Sequence, residues 1–207
     1  MMKRQWLTRS DTAELTLLFG GWALGATPFA DLTGDMDLLL VDDYTHLDDP
    51  LPELAQYDRV DLIAFSFGVA SAAHWMSMTG FLPAQLTAVS GTLSPADAEK
   101  GIAPDMIRAT ADKLCGASFA KFCRRAGLQN PAPTIDIDMA RAELHAVINR
   151  GPAPEHRFDR IWIPKQDWII PTRAQETAWK QQHQAIRHIP GPHVPFRTGQ
   201  SWAEWVA

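Results

Sequence analysis

Long apolar segments are missing from this chain of 207 residues. A membrane-spanning helix needs about 18 or more consecutive apolar residues, and no stretch approaches that length. The basic pair Lys3 and Arg4 is followed by polar side chains at residues 8–11, where a secretory signal would have an apolar core. The sequence therefore predicts a cytoplasmic protein that neither inserts into a membrane nor carries a secretory signal.

Cysteine is also scarce, since Cys115 and Cys123 are the two in the chain. Their separation fits neither a C-x-x-C redox pair nor a zinc site. We expect both to be packed, free thiols in a reducing compartment. The sequence has no glycine-rich phosphate loop and no cluster of residues with metal-ligand spacing, so neither an organic cofactor nor a metal is predicted.

Basic charge is in deficit, because 19 Lys and Arg against 24 Asp and Glu give a net charge of -5. A nucleic-acid partner is not expected, since such binding needs a surplus of Lys and Arg to displace counterions. Residues 104–128 depart from this balance, with five basic and two acidic side chains and hence a net charge of +3. The five basic residues are Arg108, Lys113, Lys121, Arg124 and Arg125.

The composition is otherwise that of an ordinary globular protein, with 46% hydrophobic and 21% charged residues. The length suits a single domain over residues 1–207. Short apolar runs alternate with longer amphipathic ones, which is typical of β-α units that build a parallel sheet. We predict an α/β fold with a mostly parallel sheet of about six strands, at residues 15–19, 36–41, 60–65, 86–90, 160–164 and 185–189.

Helices are predicted after these strands at residues 67–79, 173–183 and 196–205. Residues 94–157 break the alternation, because two helical segments at 105–125 and 138–149 are separated by the proline-rich residues 129–133. We interpret this stretch as a small helical cap inserted between two core strands.

The segment Ala64-Phe65-Ser66-Phe67-Gly68 follows the apolar run at residues 60–65. It is a variant of the nucleophile elbow G-x-S-x-G, with alanine in place of the first glycine. Small residues are needed on both sides of the serine because the strand turns sharply into a helix there. Such a short segment also arises by chance, so Ser66 is a candidate nucleophile only if a base and an acid can reach it.

Asp167 and His193 are the candidate acid and base. Each follows a predicted strand, and the chain order Ser, Asp, His is that of α/β-hydrolases. All three lie at carboxyl ends of strands, where parallel sheets bind their ligands. Alone, Asp167 could be an ordinary loop aspartate and His193 a turn residue, but the coincidence of three positions favours a catalytic triad.

An oxyanion hole requires two fixed N–H donors aimed at the developing negative charge. The backbone N–H of Phe67, directly after the nucleophile, is the first candidate. The second is the backbone N–H of Trp22, in the loop Phe19-Gly20-Gly21-Trp22, where paired glycines let the backbone approach a substrate closely.

Other polar candidates receive plainer interpretations. Asp42 and Asp43 follow the second predicted strand and could approach the site, although the usual position of the acid favours Asp167. Tryptophans are expected mostly in the core or a pocket wall. The remaining histidines are expected as surface or packed side chains: His46, His74, His145, His156, His183 and His188.

Several short stretches form a pattern more specific than the elbow alone. They are Phe19-Gly20-Gly21-Trp22 with Pro28-Phe29, residues 64–69, Gly91-Thr92-Leu93-Ser94-Pro95 with Gly101-Ile102, Asp167 with Ile170-Pro171, Pro192-His193 with Pro195-Phe196, and Ser201-Trp202. These stretches are spread over nearly the whole chain. In them the chain resembles the BioG-type pimeloyl-[acyl-carrier protein] methyl ester esterases of the α/β-hydrolase superfamily. Phe65 and Ser90 depart from the family pattern, which has tryptophan and asparagine there.

The resemblance implies a serine carboxylesterase without a cofactor, which frees the pimeloyl carboxylate during biotin synthesis. An esterase or thioesterase of another small acyl substrate stays open, as does a non-catalytic binding protein on the same fold. Acyl carrier proteins are acidic, so Lys121, Arg124 and Arg125, with Arg108 and Lys113 behind them, are hypothesised to contact the carrier. The same side chains could equally be the solvated face of a helix.

Overall fold

The computed structural model describes residues 2–206, in which strands and helices alternate along the chain. One sheet of seven strands is found in this part of the chain, in the spatial order β1-β3-β2-β4-β5-β6-β7. β1 runs antiparallel to β3, and the other neighbours are parallel. The strands are β1 (Lys3–Thr8), β2 (Glu14–Phe19), β3 (Asp37–Asp42), β4 (Arg59–Phe65), β5 (Gln85–Val89), β6 (Arg160–Pro164) and β7 (Ile186–Ile189).

The helices cover both faces of this sheet. Successive residues of β2 therefore enter different cores, with Leu17 and Phe19 in one and Leu18 in the other. Each fully buried side chain of this size contributes about 1.5–3 kcal/mol. The α-helices are α1 (Gly68–Thr79), α2 (Pro104–Asp112), α3 (Gly116–Ala126), α4 (Ile137–Arg150), α5 (Thr172–Ala178) and α6 (Ala203–Val206).

The predicted parallel strands and the α/β fold are confirmed, but the estimate of six strands missed β1. Its sequence Lys-Arg-Gln-Trp-Leu-Thr alternates exposed and half-buried positions instead of forming an apolar run. This pattern follows from its place as an antiparallel strand at the edge of the sheet.

Three predicted helices are shorter or broken. The segment 105–125 divides into α2 and α3, because Cys115 is extended and caps α3 by accepting from the backbone of Ser118. The segment 173–183 divides into α5 and a 3-10 helix, Lys180–Ala185. Of residues 196–205 only the last part is helical in α6. Before it, residues 198–199 form a turn with Gly199 at a φ of 88°, and Thr33 forms backbone hydrogen bonds with Gln200 and Trp202.

The region between β5 and β6 contains α2, α3 and α4 and, within residues 2–206, no strand. α4 begins at an N-cap formed by Asp136, whose carboxylate accepts from the backbone of Asp138 and Met139.

The prediction that both cysteines are packed is wrong for Cys115, which is exposed, whereas Cys123 is buried; both are free. None of the helices in the described chain has the length and apolar character needed to cross a bilayer.

Candidate active site

Ser66 stands at the sharp turn between β4 and α1. Its φ of 57° lies in the left-handed region, which is strained for a residue with a side chain and is typical of a nucleophile elbow. Gly68 allows this turn to pack tightly, since a Cβ there would lie 2.4 Å from the carbonyl oxygen of Phe19 and 2.5 Å from that of Gly20. A Cβ on Gly21 would lie 3.4 Å from the Cβ of Ser66, so the loop after β2 is in contact with the elbow.

The three predicted triad residues meet in one hydrogen-bonded chain. Nε2 of His193 lies 2.9 Å from Oγ of Ser66, and its Nδ1 lies 2.7 Å from Oδ2 of Asp167. All three are buried, with His193 0% exposed. A carboxylate only accepts hydrogen bonds, so the proton of His193 resides on Nδ1 and Nε2 is left to accept the hydroxyl proton of Ser66.

Asp167 is held by four donors. Its Oδ1 accepts from the backbone N–H groups of Ile169 (2.8 Å) and Ile170 (3.0 Å). Its Oδ2 accepts from His193 and from Nε2 of Gln175, at 2.8 Å. No sequence motif marks Gln175, because an amide in a predicted helix is compatible with many structural roles.

The last turn of α3 is bonded to the loops of both Asp167 and His193. Arg125 donates a hydrogen bond to the carbonyl oxygen of Trp168, and the backbone N–H of Val194 donates to that of Ala126 at 2.8 Å. Phe65 packs against the imidazole of His193, with ring centroids 5.3 Å apart. Helix α3 is therefore part of the framework around Asp167 and His193.

Ser66 opens onto a mainly apolar pocket between the sheet and helices α2 to α4. Trp22 forms one wall, because its indole N–H donates to the carbonyl oxygen of Ala140 at 2.8 Å and its ring meets Phe119 and Phe122 edge-on. The other lining residues are Phe67, Ile102, Met106, Ile107, Thr110, Phe122, Arg125, Leu144 and Ile169. A larger, polar groove, lined mainly by residues 155–159 and 177–185, contains none of the triad residues.

Trp22 and Phe67, the residues of the two predicted oxyanion donors, both line the pocket that contains Ser66. Among residues 2–206, neither backbone N–H donates to another backbone group. The structure therefore places both residues beside Ser66.

Asp42 and Asp43 do not line the pocket of Ser66. They lie beside Glu143 of α4 in a separate depression. Burial raises the pKa of Glu143 to about 8, against a smaller lowering by the hydrogen bond that its carboxylate accepts from the backbone of Tyr44.

The other histidines are outside the pocket and exposed or half-buried, whereas His193 is fully buried. His74 contacts the carbonyl oxygen of Gly151, and His188 contacts Glu176 at 2.9 Å.

The five basic residues of 104–128 are all exposed. One of them, Arg108, forms an ion pair with Asp105 at 2.7 Å.

Comparisons with known structures support the same fold. BioG from Haemophilus influenzae superposes with a TM-score of 0.88 at 25% identity, covering 100% of each chain. A lipase-esterase related protein from Clostridium acetobutylicum ATCC 824 has a TM-score of 0.65 at 14% identity, over 94% of this chain and 93% of that chain. The RedJ thioesterase from Streptomyces coelicolor has a TM-score of 0.60 at 16% identity, over 89% of this chain and 84% of that chain. The last two similarities show the fold alone.

A curated relative is a malonyl-[acyl-carrier protein] O-methyltransferase from Bacteroides fragilis (strain 638R). It is 29% identical over 192 residues, which are 87% of this chain and 39% of that protein. The chain thus spans well under half the length of this relative. Residues 2–205 match the family described as pimeloyl-ACP methyl esterase BioG. The chain therefore belongs to the pimeloyl-ACP methyl esterase BioG family and has the α/β-hydrolase fold.

Proposed function

We propose that this protein hydrolyses the methyl ester of pimeloyl-[acyl-carrier protein] with Ser66 as nucleophile, His193 as base and Asp167 as the acid that orients it. The observation that carries the proposal is the hydrogen-bonded chain from Asp167 through His193 to Ser66 at the wall of an apolar pocket. Membership of the BioG family supports the substrate.

The reaction begins when His193 takes the hydroxyl proton of Ser66 and the oxygen attacks the ester carbonyl. Asp167 holds the imidazole and stabilises its positive form. The backbone N–H groups of Trp22 and Phe67 donate to the oxyanion, and each such donor is worth about 10²–10³-fold in rate. His193 then passes its proton to the methoxy group, which leaves as methanol.

Water completes the cycle. It attacks the acyl-enzyme while His193 again takes a proton, and the oxygen of Ser66 leaves with that proton as the free carboxylate forms. The triad alone would also attack a thioester. The thioester to the carrier survives because the pocket presents the far end of the acyl chain to Ser66. Apolar walls from Trp22, Phe122 and Leu144 suit a chain of methylene groups.

The name of the Bacteroides fragilis relative also supports a carrier-bound ester as substrate. O-methyl transfer to a malonyl-carrier conjugate forms the kind of methyl ester that an esterase cleaves.

We further infer that residues 94–157 act as a cap within one domain, since α2 and α3 supply pocket walls. A cytoplasmic location, where acyl carrier proteins work, is part of this proposal.

The test follows pimeloyl-carrier methyl ester by mass spectrometry. With the native protein the acyl group should lose the mass of one CH2 unit while the thioester stays intact. Cleavage at the thioester would still show hydrolase activity, but it would contradict the methyl ester as the bond that is cleaved. Ser66→Ala serves as the control, and equal activity in both proteins would remove the proposed nucleophile.

We also propose that the exposed basic side chains of α2 and α3 contact the acidic carrier. Lys121 and Arg124 lie on the helix that contributes Phe122 and Arg125 to the pocket, so a carrier docked there would deliver its acyl chain directly. Arg125 already donates to Trp168. Arg108 lies on α2, and Lys113 is the C-cap residue of that helix. Complementary charge raises the association rate and is weakened by salt.

Reversing the charge at Lys121→Glu and Arg124→Glu together should therefore raise KM for the carrier-bound ester about tenfold at low salt. The change should shrink as salt is added, while hydrolysis of a small free ester stays within about twofold of native. The double reversal Lys180→Glu and Arg187→Glu, near β7, is the matched control and should leave KM unaltered. Equal KM values for the two double variants would show that α3 does not bind the carrier.

A further inference from the structure

Gln175 is a fully buried polar residue beside the triad. It lies on α5, is 0% exposed, and its amide nitrogen Nε2 donates two hydrogen bonds. One goes to Oδ2 of Asp167 at 2.8 Å and the other to the carbonyl oxygen of Ile170 at 2.7 Å. The side chain thus joins the first turn of α5 to the loop that holds the acid.

The orientation of this amide is fixed by its neighbours. Turning it over would place its oxygen against Asp167 and Ile170, two groups that only accept hydrogen bonds. In the observed orientation the oxygen Oε1 is buried and has no hydrogen-bond partner among residues 2–206. An unpaired buried acceptor lowers stability, and an apolar side chain of the same length would avoid that cost.

The benefit that offsets this cost lies at Asp167. The carboxylate has about four acceptor positions, and two backbone N–H groups hold Oδ1. Oδ2 therefore has two positions, of which Gln175 fills one and Nδ1 of His193 fills the other. With the first position filled, the carboxylate neither rotates nor takes up water, and its remaining acceptor position faces the imidazole.

We propose that Gln175 is a positioning residue that holds Asp167 in the geometry required to orient His193. This inference rests on the triad of the proposed function, but it does not depend on which ester is the substrate. Gln175 is not among the residues that line the pocket, and its two hydrogen bonds go to Asp167 and to Ile170, which itself donates to Asp167. Its effect on His193 is therefore transmitted by Asp167 and the loop that holds it.

The test compares native protein with Gln175→Met and Gln175→Glu on a small chromogenic ester, p-nitrophenyl butyrate. Methionine keeps the length and removes both donors. We expect kcat to fall about 10–100-fold with little change in KM, as for other losses of a group that orients a catalytic side chain. The Tm should not fall in proportion, because the unpaired acceptor is removed as well.

Gln175→Glu keeps the shape and replaces Nε2 by a carboxyl oxygen. When protonated, this carboxyl has one O–H and can donate to Asp167, although the carbonyl oxygen of Ile170 then loses its donor. When ionised, it repels Asp167. The pH profile of kcat should therefore show an additional loss of activity as the pH rises, which neither the native protein nor Gln175→Met has. A purely structural role would alter Tm without adding this ionisation.

The matched control is Gln182→Met in the following 3-10 helix. Gln182 also binds backbone groups, donating to the carbonyl oxygen of His156 and accepting from the N–H of Phe158, each at 2.8 Å. Its loss should lower Tm and leave kcat and the pH profile within about twofold of native.

Two failures are distinguishable. If both Gln175 variants keep native kcat and the native pH profile while Ser66→Ala is inactive, the positioning role is wrong and the triad stands. If Ser66→Ala is as active as native protein, the triad itself is wrong, and the role of Gln175 falls with it.

Discussion

Replacing Ser66 by alanine is expected to lower kcat by at least ~10³-fold and up to ~10⁶-fold, whichever ester is used. The change removes only Oγ, the atom 2.9 Å from Nε2 of His193. Alanine keeps the Cβ, so the strained left-handed backbone and the packing of the elbow are preserved and Tm should be unchanged. The remaining activity would come from the oxyanion donors and the pocket acting on water.

Two measurements define this result. Turnover of p-nitrophenyl butyrate gives the loss in kcat, and a fluorophosphonate probe, which labels activated serines, should modify native protein but not Ser66→Ala. Ser77→Ala, on the exposed side of α1, is the control and should react and turn over as native protein does. Labelling of Ser66→Ala at the native rate would place the nucleophile elsewhere.

Asp167→Asn is expected to lower kcat by about 10⁴-fold with an intact fold. The asparagine oxygen would stay with the backbone donors that now hold Oδ1, which puts the new NH2 group where Oδ2 meets His193 and Gln175. Nδ1 of His193 would then accept a hydrogen bond, and its proton would move to Nε2. In that tautomer Nε2 donates to Ser66 and cannot accept its proton.

The measurement is kcat for the small ester across the neutral pH range, together with the reactivity of Ser66 toward the fluorophosphonate. Asp136→Asn is a suitable control because it also neutralises an aspartate, while asparagine remains a good N-cap for α4. A kcat near native for Asp167→Asn would mean that another group orients His193.

The sequence was sufficient to predict most of the parallel sheet, and it singled out Ser66, Asp167 and His193, which the fold joins in one hydrogen-bonded chain. Buried parallel strands are short apolar runs, and the elbow, Asp167 and His193 each follow one of them. These features are local, because each depends on a strand and the few residues after it.

Features that depend on distant contacts were not predictable in this way. The segment 196–205 has helical periodicity, but a turn at Gly199, whose φ is 88°, and backbone hydrogen bonds of Gln200 and Trp202 with Thr33 keep its first half from being helical. Gln175 lies in a predicted helix with no motif, and its importance appears only when α5 is packed against the loop of Asp167. β1 was missed because an edge strand does not need an apolar sequence.

The hydrogen bonds from the last turn of α3 limit how this protein can be redesigned. Arg125 donates to the carbonyl oxygen of Trp168, and Ala126 accepts from Val194, so this turn is bonded to the residues directly after Asp167 and His193. An inserted region transplanted from a relative with another specificity would have to reproduce both connections. Variation in acyl preference is therefore easier to obtain by exchanging side chains on α2, which lines the pocket without these ties, than by exchanging the inserted region as a whole.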